Sequence, residues 1–156
     1  PDYVISQVVN ELNQVGKAIS QSELLILGVA YKRNIDDTRE SPALKLISKL
    51  RKLGARVHYH DPYVPVLNSG PGFPHSMESV PLDEEAVANS DLVLIVTDHS
   101  DVDYSMVARY APLVVDTRNC LPPKGADMRE FLETSPTVLR TTGAKDASTK
   151  NPQKQA

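Results

Sequence analysis

The chain has 156 residues, of which 24% are charged, and a formal net charge of −3 at pH 7. Its length suits one ordinary domain with a sizeable core, and its acidic balance argues against nucleic acid as the main partner, because nucleic-acid-binding proteins usually present a basic face. The single cysteine, Cys120, excludes an internal disulfide framework and fits a reducing compartment. We therefore expect a cytoplasmic protein that does not bind nucleic acid.

Neither a membrane span nor a secretory leader is visible in the sequence. Apolar runs such as LLILGVA and LVLIV have the length of a strand, whereas a spanning helix needs about 20 apolar residues. The first residues, PDYVISQVVNELNQVGKAI, are polar and have helical spacing, unlike a signal peptide. We therefore expect no membrane partner. Because the chain begins with Pro1, we also expect it to be a piece of a longer protein.

The first half of the chain predicts a helix followed by a strand, a helix and a second strand. Apolar residues at helical spacing indicate a helix that Gly16 closes as a C-terminal cap. The apolar run at 23–31 is typical of a strand that is covered on both faces. Ser41 as N-cap and Pro42 at the first helical position begin the next helix, and residues 56–61 form the second strand.

The second half continues this alternation after a long loop. Residues 62–81 contain five prolines and two glycines and predict an irregular connection. The elements expected beyond it are a short helix at 82–90, a buried strand at 91–99, a helix at 104–111 and a strand at 113–118. The alternation predicts an α/β fold, a doubly wound and mostly parallel Rossmann-like sheet with helices on both faces.

The C-terminal residues carry weaker patterns. Residues 128–133 predict a helical turn and residues 137–142 a short strand. Residues 143–156 are rich in Lys, Ser, Thr, Asn, Pro and Gln and have almost no side chain to bury, so they predict a disordered tail.

The loop after the first strand is the best candidate for a site. Its residues 32–40, KRNIDDTRE, carry three cations and three carboxylates, more charge than a strand-to-helix connection needs. In open parallel sheets, ligands bind outside the carboxyl ends of the strands, where this loop begins. Lys32 offers a flexible point charge and Arg39 a bidentate fork for phosphate. The alternative is that both are solvated and pair with carboxylates of the same loop.

Two residues of this region invite a dinucleotide interpretation that the pattern does not favour. Gly28 lies in the first strand, but GVAYKR lacks the G-x-G-x-x-G spacing that brings a helix N-terminus to a pyrophosphate. Asp61 resembles the acidic residue that reads a ribose hydroxyl. Without the glycine pattern, we interpret Asp61 and the following proline as the end of a strand.

Two possible metal sites are weak. His58 and His60 alternate along a strand and point to one face, but no third ligand at a fixed step accompanies them. The segment Thr97–Asp103 could crowd carboxylates around a divalent ion. Ser100 or Asp101 acting as a helix cap explains that segment equally well.

The stretch from Ile26 to Pro65, ILGVAYKRNIDDTRESPALKLISKLRKLGARVHYHDPYVP, resembles the C-terminal domain of the UDP-glucose/GDP-mannose dehydrogenase family, most of all the UDP-N-acetylhexosamine 6-dehydrogenases. The G-x-x-x-K pattern, the seven-residue step to Arg, the E-S pair and Y-x-D-P occur in the family's order. PDYVISQVVNELNQVGK is similar to the end of the family's central helical region and VVDTRN to its late strand. The resemblance implies three parts: the end of a central linker helix (1–18), a nucleotide-sugar-binding C-terminal domain (19–142) and a tail (143–156).

The resemblance also implies an activity for the longer protein. Enzymes of this family oxidise the C6 alcohol of a nucleotide sugar to a carboxylate, with NAD and a covalent cysteine thioester. It implies that Lys32, with Gly28 and Tyr31, binds the UDP-sugar, that Arg39 reaches the cofactor, and that the full-length enzyme is a homodimer. The NAD-binding domain and the catalytic cysteine are not in these residues, so we expect the isolated chain to be inactive. Cys120 is interpreted as an incidental thiol.

Two other classes of protein stay open. A receiver-like phosphoacceptor domain would explain the acidic residues after the first strand and Asp98 after a later one. Against it, Asp36 and Asp37 lie beyond the strand end, and the last strand ends in DTRN without a lysine. A non-catalytic assembly module would use the amphipathic first helix to dock on another subunit.

Overall fold

The computed structural model describes residues 1–70 and 73–122. The elements predicted at 128–133 and 137–142 and the tail predicted at 143–156 lie outside these residues. The helices are α1 (Asp2–Gln14), α2 (Pro42–Lys52), α3 (Glu84–Asn89) and α4 (Tyr104–Tyr110), with a 3₁₀ turn at Ile19–Gln21. The strands are β1 (Glu23–Leu27), β2 (Arg56–His60), β3 (Val66–Leu67), β4 (Met77–Glu78), β5 (Leu92–Ile95) and β6 (Val114–Asp116).

Four of the strands form one parallel sheet in the order β2-β1-β5-β6. Leu25 of β1 lies opposite His58 of β2 on one side and Val93 of β5 on the other. The chain moves outward from β1 to β2 and then returns past β1 to β5, which makes the crevice between β1 and β5 the topological switch point where such sheets bind ligands. The predicted doubly wound parallel sheet is confirmed.

The side chains of β1 alternate between two apolar layers. Leu24 and Ile26 pack in the cluster that contains the buried residues of α1 and α2. Leu25 and Leu27 pack in the cluster that contains those of α3 and α4. Each of these four side chains is at most 1% exposed, and burying one stabilises the fold by about 1.5–3 kcal/mol relative to exposure. The continuous apolar run in the sequence therefore reflects helices on both faces of the sheet.

The strands are shorter than the sequence predicts. We expected the first strand to span 23–31, but β1 ends at Leu27 because Gly28 has a φ of 85° and turns the chain out of the sheet. The amides of Val29 and Ala30 then donate to a side chain and not to a neighbouring strand. β5 and β6 likewise end before residues 96–99 and 117–118, where the apolar or β-branched Val96, Thr97 and Thr117 had lengthened the prediction.

The connection at 62–81, predicted to be irregular, contains an antiparallel pair of strands. Val66 of β3 pairs with Glu78 of β4, and Leu67 with Met77. The segment packs on the sheet because Leu67 and Phe73 are buried and the Tyr59 hydroxyl donates to the Val64 carbonyl at 2.9 Å. Strands of two residues are too short to give a periodic signal, so the prediction of an irregular loop was wrong.

Two of the predicted helix caps are confirmed, and the prediction for the cap of α4 is corrected. Ser41 caps α2, accepting a hydrogen bond from the Ala43 amide at 3.2 Å, and Gly16 follows α1 with a φ of 73°. α4 is capped by Asp103, which accepts from the Met106 amide at 3.1 Å, and not by Ser100 or Asp101. Within the described ranges, no helix combines the length and apolar composition needed to cross a membrane.

Candidate functional site

The site lies at the carboxyl edge of the parallel sheet. Because the four strands run in the same direction, the loops that follow them emerge together at this edge. These loops comprise residues 28–41 after β1, 61–65 after β2, 96–103 after β5 and 117–122 after β6. The loop predicted as a site is the first of them, and it flanks the switch point between β1 and β5.

Gly28 allows the loops after β1 and β5 to touch. A Cβ atom at this position would lie 2.0 Å from the carbonyl oxygen of Thr97, and the φ of 85° is one that side chains rarely adopt. The Gly28 amide donates to the His60 carbonyl at 3.0 Å, which joins the loop to the end of β2. Close packing therefore explains the glycine here, and its contact with substrate stays a prediction.

Asp61 is a buried anion at the end of β2. Its side chain is fully enclosed, and its Oδ2 atom accepts hydrogen bonds from the amides of Val29 at 2.8 Å and Ala30 at 3.1 Å. Its Oδ1 atom accepts from the Tyr63 amide at 2.8 Å. In dinucleotide-binding sheets, amides of the turn after the first strand receive a pyrophosphate. Here a carboxylate of the protein takes that place, which our interpretation of Asp61 as a strand end had missed.

His99, in the loop after β5, is the second residue that sequence reasoning missed. It is 1% exposed, and its Nδ1 atom lies 2.9 Å from the Asn34 amide, which can only donate. Nδ1 therefore carries no hydrogen, so Nε2 holds the proton and donates it to Asp61 Oδ2 at 2.9 Å. The ring also lies 4.8 Å from that of Tyr63, centroid to centroid.

Lys32 and Tyr31 lie exposed at the start of the loop. Tyr31 is 47% exposed, and its amide donates to the Asp37 carbonyl at 2.7 Å. The Lys32 ammonium lies 5.7 Å from the centroid of the Tyr31 ring, a cation–π distance. Among the ion pairs that the described residues form, none includes Lys32. The ammonium is therefore accessible to a ligand at the carboxyl edge.

Arg39 forms an ion pair within its own loop, as the alternative interpretation of the loop charges expected. Its Nε and Nη2 atoms donate to Asp37 at 3.1 and 2.8 Å, and its side chain is 88% exposed. The hydrogen bond from Arg39 lowers the pKa of Asp37 to about 2. Exposed ion pairs contribute little to stability because water screens them, so the guanidinium can exchange Asp37 for an anionic ligand at small cost.

Two further cations share one carboxylate at the same edge. Asp98 accepts a hydrogen bond from Arg118 Nε at 3.2 Å, and its other oxygen lies 3.7 Å from Arg33 Nε. Two guanidinium groups around one carboxylate leave this group of three side chains with an excess positive charge. Sequence reasoning missed Arg118, although its position directly after the last strand of the sheet was a signal that could have identified it.

The other candidate groups have separate partners. Asp101 accepts from the Tyr63 hydroxyl at 3.0 Å, so the carboxylates of 97–103 do not converge as a divalent-ion site requires. His58 pairs with Glu23 at 3.0 Å, and His60 hydrogen bonds the Val80 carbonyl. Within the described part of the chain, no three His, Cys, Asp or Glu residues group as metal ligands. Burial raises the pKa of Cys120 to about 12, so its thiol is a poor nucleophile at neutral pH.

Residues 25–123 match the model of the UDP-glucose/GDP-mannose dehydrogenase family, UDP binding domain. The UDP-glucose 6-dehydrogenase YwqF of Bacillus subtilis is 35% identical over 114 residues, which cover 70% of this chain and 26% of that protein. A UDP-N-acetyl-D-mannosamine dehydrogenase of Methanococcus maripaludis is 32% identical over 129 residues, which cover 78% of this chain and 28% of that protein. The chain thus spans about a quarter of the length of these relatives.

Solved structures show the same relationship. The structure of the UDP-D-ManNAc dehydrogenase from Pyrococcus horikoshii matches 80% of this chain and 29% of its own, with a TM-score of 0.63 and 28% identity. An NDP-N-acetyl-D-galactosaminuronic acid dehydrogenase from Methanosarcina mazei Go1 matches 79% of this chain and 26% of its own, with a TM-score of 0.63 and 30% identity.

A doubly wound parallel sheet with lysine and arginine side chains in the loops at its carboxyl edge is typical of a Rossmann-like domain of the nucleotide-binding class. The matches define the particular group. The chain belongs to the UDP-glucose/GDP-mannose dehydrogenase family, and its residues 25–123 correspond to the UDP binding domain of that family.

Proposed function

We propose that this chain is the nucleotide-sugar-binding part of an NAD-dependent UDP-sugar 6-dehydrogenase, which oxidises the C6 alcohol of its substrate to a carboxylate. The observation that carries the proposal is the exposed ammonium of Lys32 at the switch point of a sheet in the UDP binding family. The similar proteins named as UDP-glucose and UDP-N-acetyl-D-mannosamine dehydrogenases support the class of substrate.

In the proposed complex, Lys32 provides a point charge for the diphosphate or a sugar hydroxyl, and Tyr31 and Gly28 of the same loop also contact the substrate. Arg33, next to Lys32 in the same loop, and Arg118, after β6, add positive charge at the carboxyl edge, because together they exceed the single charge of Asp98. These residues act by binding and orienting the substrate, so the reacting groups come from elsewhere in the longer protein.

The residues of this chain do not fit a complete dinucleotide site. The two amides that would receive a pyrophosphate donate to Asp61, and the turn lacks the glycine spacing of the dinucleotide pattern. We therefore propose that NAD is held mainly by a domain outside the chain and that Arg39 reaches it. A homodimeric, cytoplasmic enzyme would fit this arrangement.

We also propose the division into three parts that the family implies. Residues 1–18 would be the end of a central linker helix, 19–142 the binding domain and 143–156 a tail. The receiver-like alternative lacks support, because the chain belongs to another family and Asp98 is paired with two arginines. No observation favours the assembly module over the binding domain.

Calorimetric titration of UDP into the chain tests this proposal. Replacing Lys32 by Ala removes a charge-assisted contact, so we expect the affinity for UDP to fall by about 10- to 100-fold. Lys52→Ala is the matched control, because Lys52 is an exposed lysine in the last turn of α2, at the end of the helix opposite the carboxyl edge, and its loss should leave the affinity unchanged. Equal affinities for Lys32→Ala and the unsubstituted chain would contradict the role of Lys32.

A further inference from the structure

The loop that carries Lys32 is held in place by a buried network, which we call the Asp61–His99 clamp. It consists of the Asp61 carboxylate at the end of β2 and the His99 ring in the loop after β5, joined by the 2.9 Å contact between Nε2 and Oδ2. Both side chains are at most 1% exposed. A buried pair of this kind is costly unless every polar atom has a partner. Apart from the Tyr63 amide, which donates to Asp61 Oδ1, the other partners of the clamp are backbone amides of the loop that carries Lys32.

The clamp accepts hydrogen bonds from the loop backbone on both sides of Lys32. Two residues before Lys32, the Ala30 amide donates to Asp61 Oδ2 at 3.1 Å. Two residues after it, the Asn34 amide donates to His99 Nδ1 at 2.9 Å. Side chains from the loops that follow β2 and β5 therefore fix the backbone on both sides of Lys32.

Asn34 adds a second attachment to the same loop after β5. Its Oδ1 atom accepts from the Ser100 amide at 2.9 Å, and its Nδ2 atom donates to the Ser100 hydroxyl at 2.8 Å. Its φ is 60°, a left-handed conformation that costs free energy. These two hydrogen bonds and the one from the Asn34 amide to His99 hold that conformation in place. The conformation of the loop is thus set at the residue that contacts His99.

One tautomer of His99 satisfies both of its ring contacts. The Asn34 amide requires a lone pair on Nδ1, so the single proton of a neutral ring lies on Nε2 and points at Asp61. The opposite tautomer would place an N–H against the Asn34 N–H and leave Nε2 without a hydrogen for Asp61. A charged ring would keep the Asp61 contact and lose the Asn34 contact.

We propose that His99, as the neutral Nε2–H tautomer, is a positioning residue for Lys32 and thereby for the UDP-sugar. It does not touch the ligand; it joins Asp61 to the loop so that the Lys32 ammonium is presented at the switch point. The link to UDP rests on the proposed function, whereas the tautomer and the hold on Asn34 do not depend on any ligand.

Two substitutions separate the two ring contacts. The side-chain amide of Asn extends as far as Nδ1 of a histidine, so His99→Asn keeps an acceptor for the Asn34 amide and loses the donor to Asp61. The side-chain amide of Gln extends as far as Nε2, so His99→Gln keeps the donor and loses the acceptor. A residue that acts by packing alone would respond to both changes in the same way.

The first measurement is made on the unsubstituted chain, so it stands even if a variant fails to fold. Nitrogen NMR of the labelled chain at pH 7 reports the tautomer of His99, and amide hydrogen exchange reports the protection of Asn34. We expect the Nε2–H tautomer and a protected Asn34 amide. Either a charged His99 or the Nδ1–H tautomer would overturn the proposal.

The second measurement compares the variants. We expect His99→Gln to reduce the protection of the Asn34 amide and the affinity for UDP by about 3- to 10-fold each, and His99→Asn to retain the Asn34 protection. Equal losses in both variants, or unchanged UDP affinity in His99→Gln with a normal response to Lys32→Ala, would refute the positioning role. If Lys32→Ala leaves UDP binding unchanged while the tautomer is as expected, the proposed function fails and the hold on the loop stands.

Discussion

Gly28 shows at the scale of one residue how closely the two sides of the crevice approach. Replacing it by Ala would place a Cβ atom 2.0 Å from a backbone carbonyl oxygen at a φ of 85°. Backbone cannot yield as a flexible side chain can, so we expect Gly28→Ala to lower the free energy of unfolding by about 3 kcal/mol or more. Urea denaturation measures the change.

Gly16→Ala is the control for this substitution. Gly16 has a φ of 73° but nothing within 4 Å of a Cβ atom, so it carries the conformational cost without the steric clash. We expect a loss of about 1 kcal/mol. Similar losses for the two variants would show that the approach to Thr97 is not what requires glycine at position 28.

Residues with local roles were predictable, and residues with distant partners were not. Ser41 was identified as a helix cap because its partner lies two residues away. Asp61 was interpreted only as a strand end, because its partners Val29 and His99 lie 32 and 38 residues away. They meet only because β2, β1 and β5 are neighbours in the sheet, and one sequence does not reveal that order.

At the scale of elements, α2 depends on its first turn. The Ser41 hydroxyl accepts from the Ala43 amide, and Ser41 is buried at the end of the loop at residues 28–41, where water cannot replace it. We expect Ser41→Ala to lower the free energy of unfolding by about 1 kcal/mol. Chemical denaturation checks this, with Ser76→Ala as control: Ser76 is exposed, and its loss should change stability by less than about 0.5 kcal/mol. A cap that contributes nothing would leave the two variants indistinguishable.

The sequence predicted the existence and type of the main elements better than their ends. Apolar runs identified β1 and β5 because parallel strands covered on both faces must be apolar throughout. The prediction placed the ends of both strands too late in the chain, because the loops that follow also begin with buried residues such as Val29 and Val96. The pair β3 and β4 was not predicted, because a strand of two residues is too short to show an alternation of apolar and polar side chains.

At the scale of the whole molecule, Asp91 joins three elements at the edge of the sheet opposite the site. It pairs with Lys17 beyond α1 at 2.6 Å and accepts from the Glu23 amide of β1 at 2.7 Å, from its position before β5. Burial raises the pKa of Asp91, but the hydrogen bonds from Lys17 and Glu23 together with the charge of Lys17 outweigh it, so the net pKa is lowered below 3.8.

This shift predicts a contribution to stability that depends on pH. The pKa of Asp91 is lower in the folded than in the unfolded chain, so its contribution is present above about pH 4 and is lost as the pH falls through the folded pKa. We expect Asp91→Asn to lower the free energy of unfolding at pH 7 by about 1 kcal/mol and to make its decline below pH 4 shallower. Urea denaturation at a series of pH values measures both.

Asp36→Asn is the control for Asp91→Asn. Asp36 is an exposed carboxylate of the site loop and lies outside the ion pairs of the described residues. Its substitution should change stability by less than about 0.5 kcal/mol at any pH. An acid profile of Asp91→Asn that matches that of the unsubstituted chain would contradict the role assigned to Asp91.

The carboxylate of Asp61 also affects which nucleotides this fold can accept. A pyrophosphate approaching the amides of Val29 and Ala30 would meet a like charge that already holds both donors. The main-chain amides are thus closed to the pyrophosphate that this fold most often binds. The choice between nucleotides then depends on the side chains of the loops. We proposed above that NAD is held mainly outside this chain, and Asp61 is a feature of this sheet that disfavours a dinucleotide here.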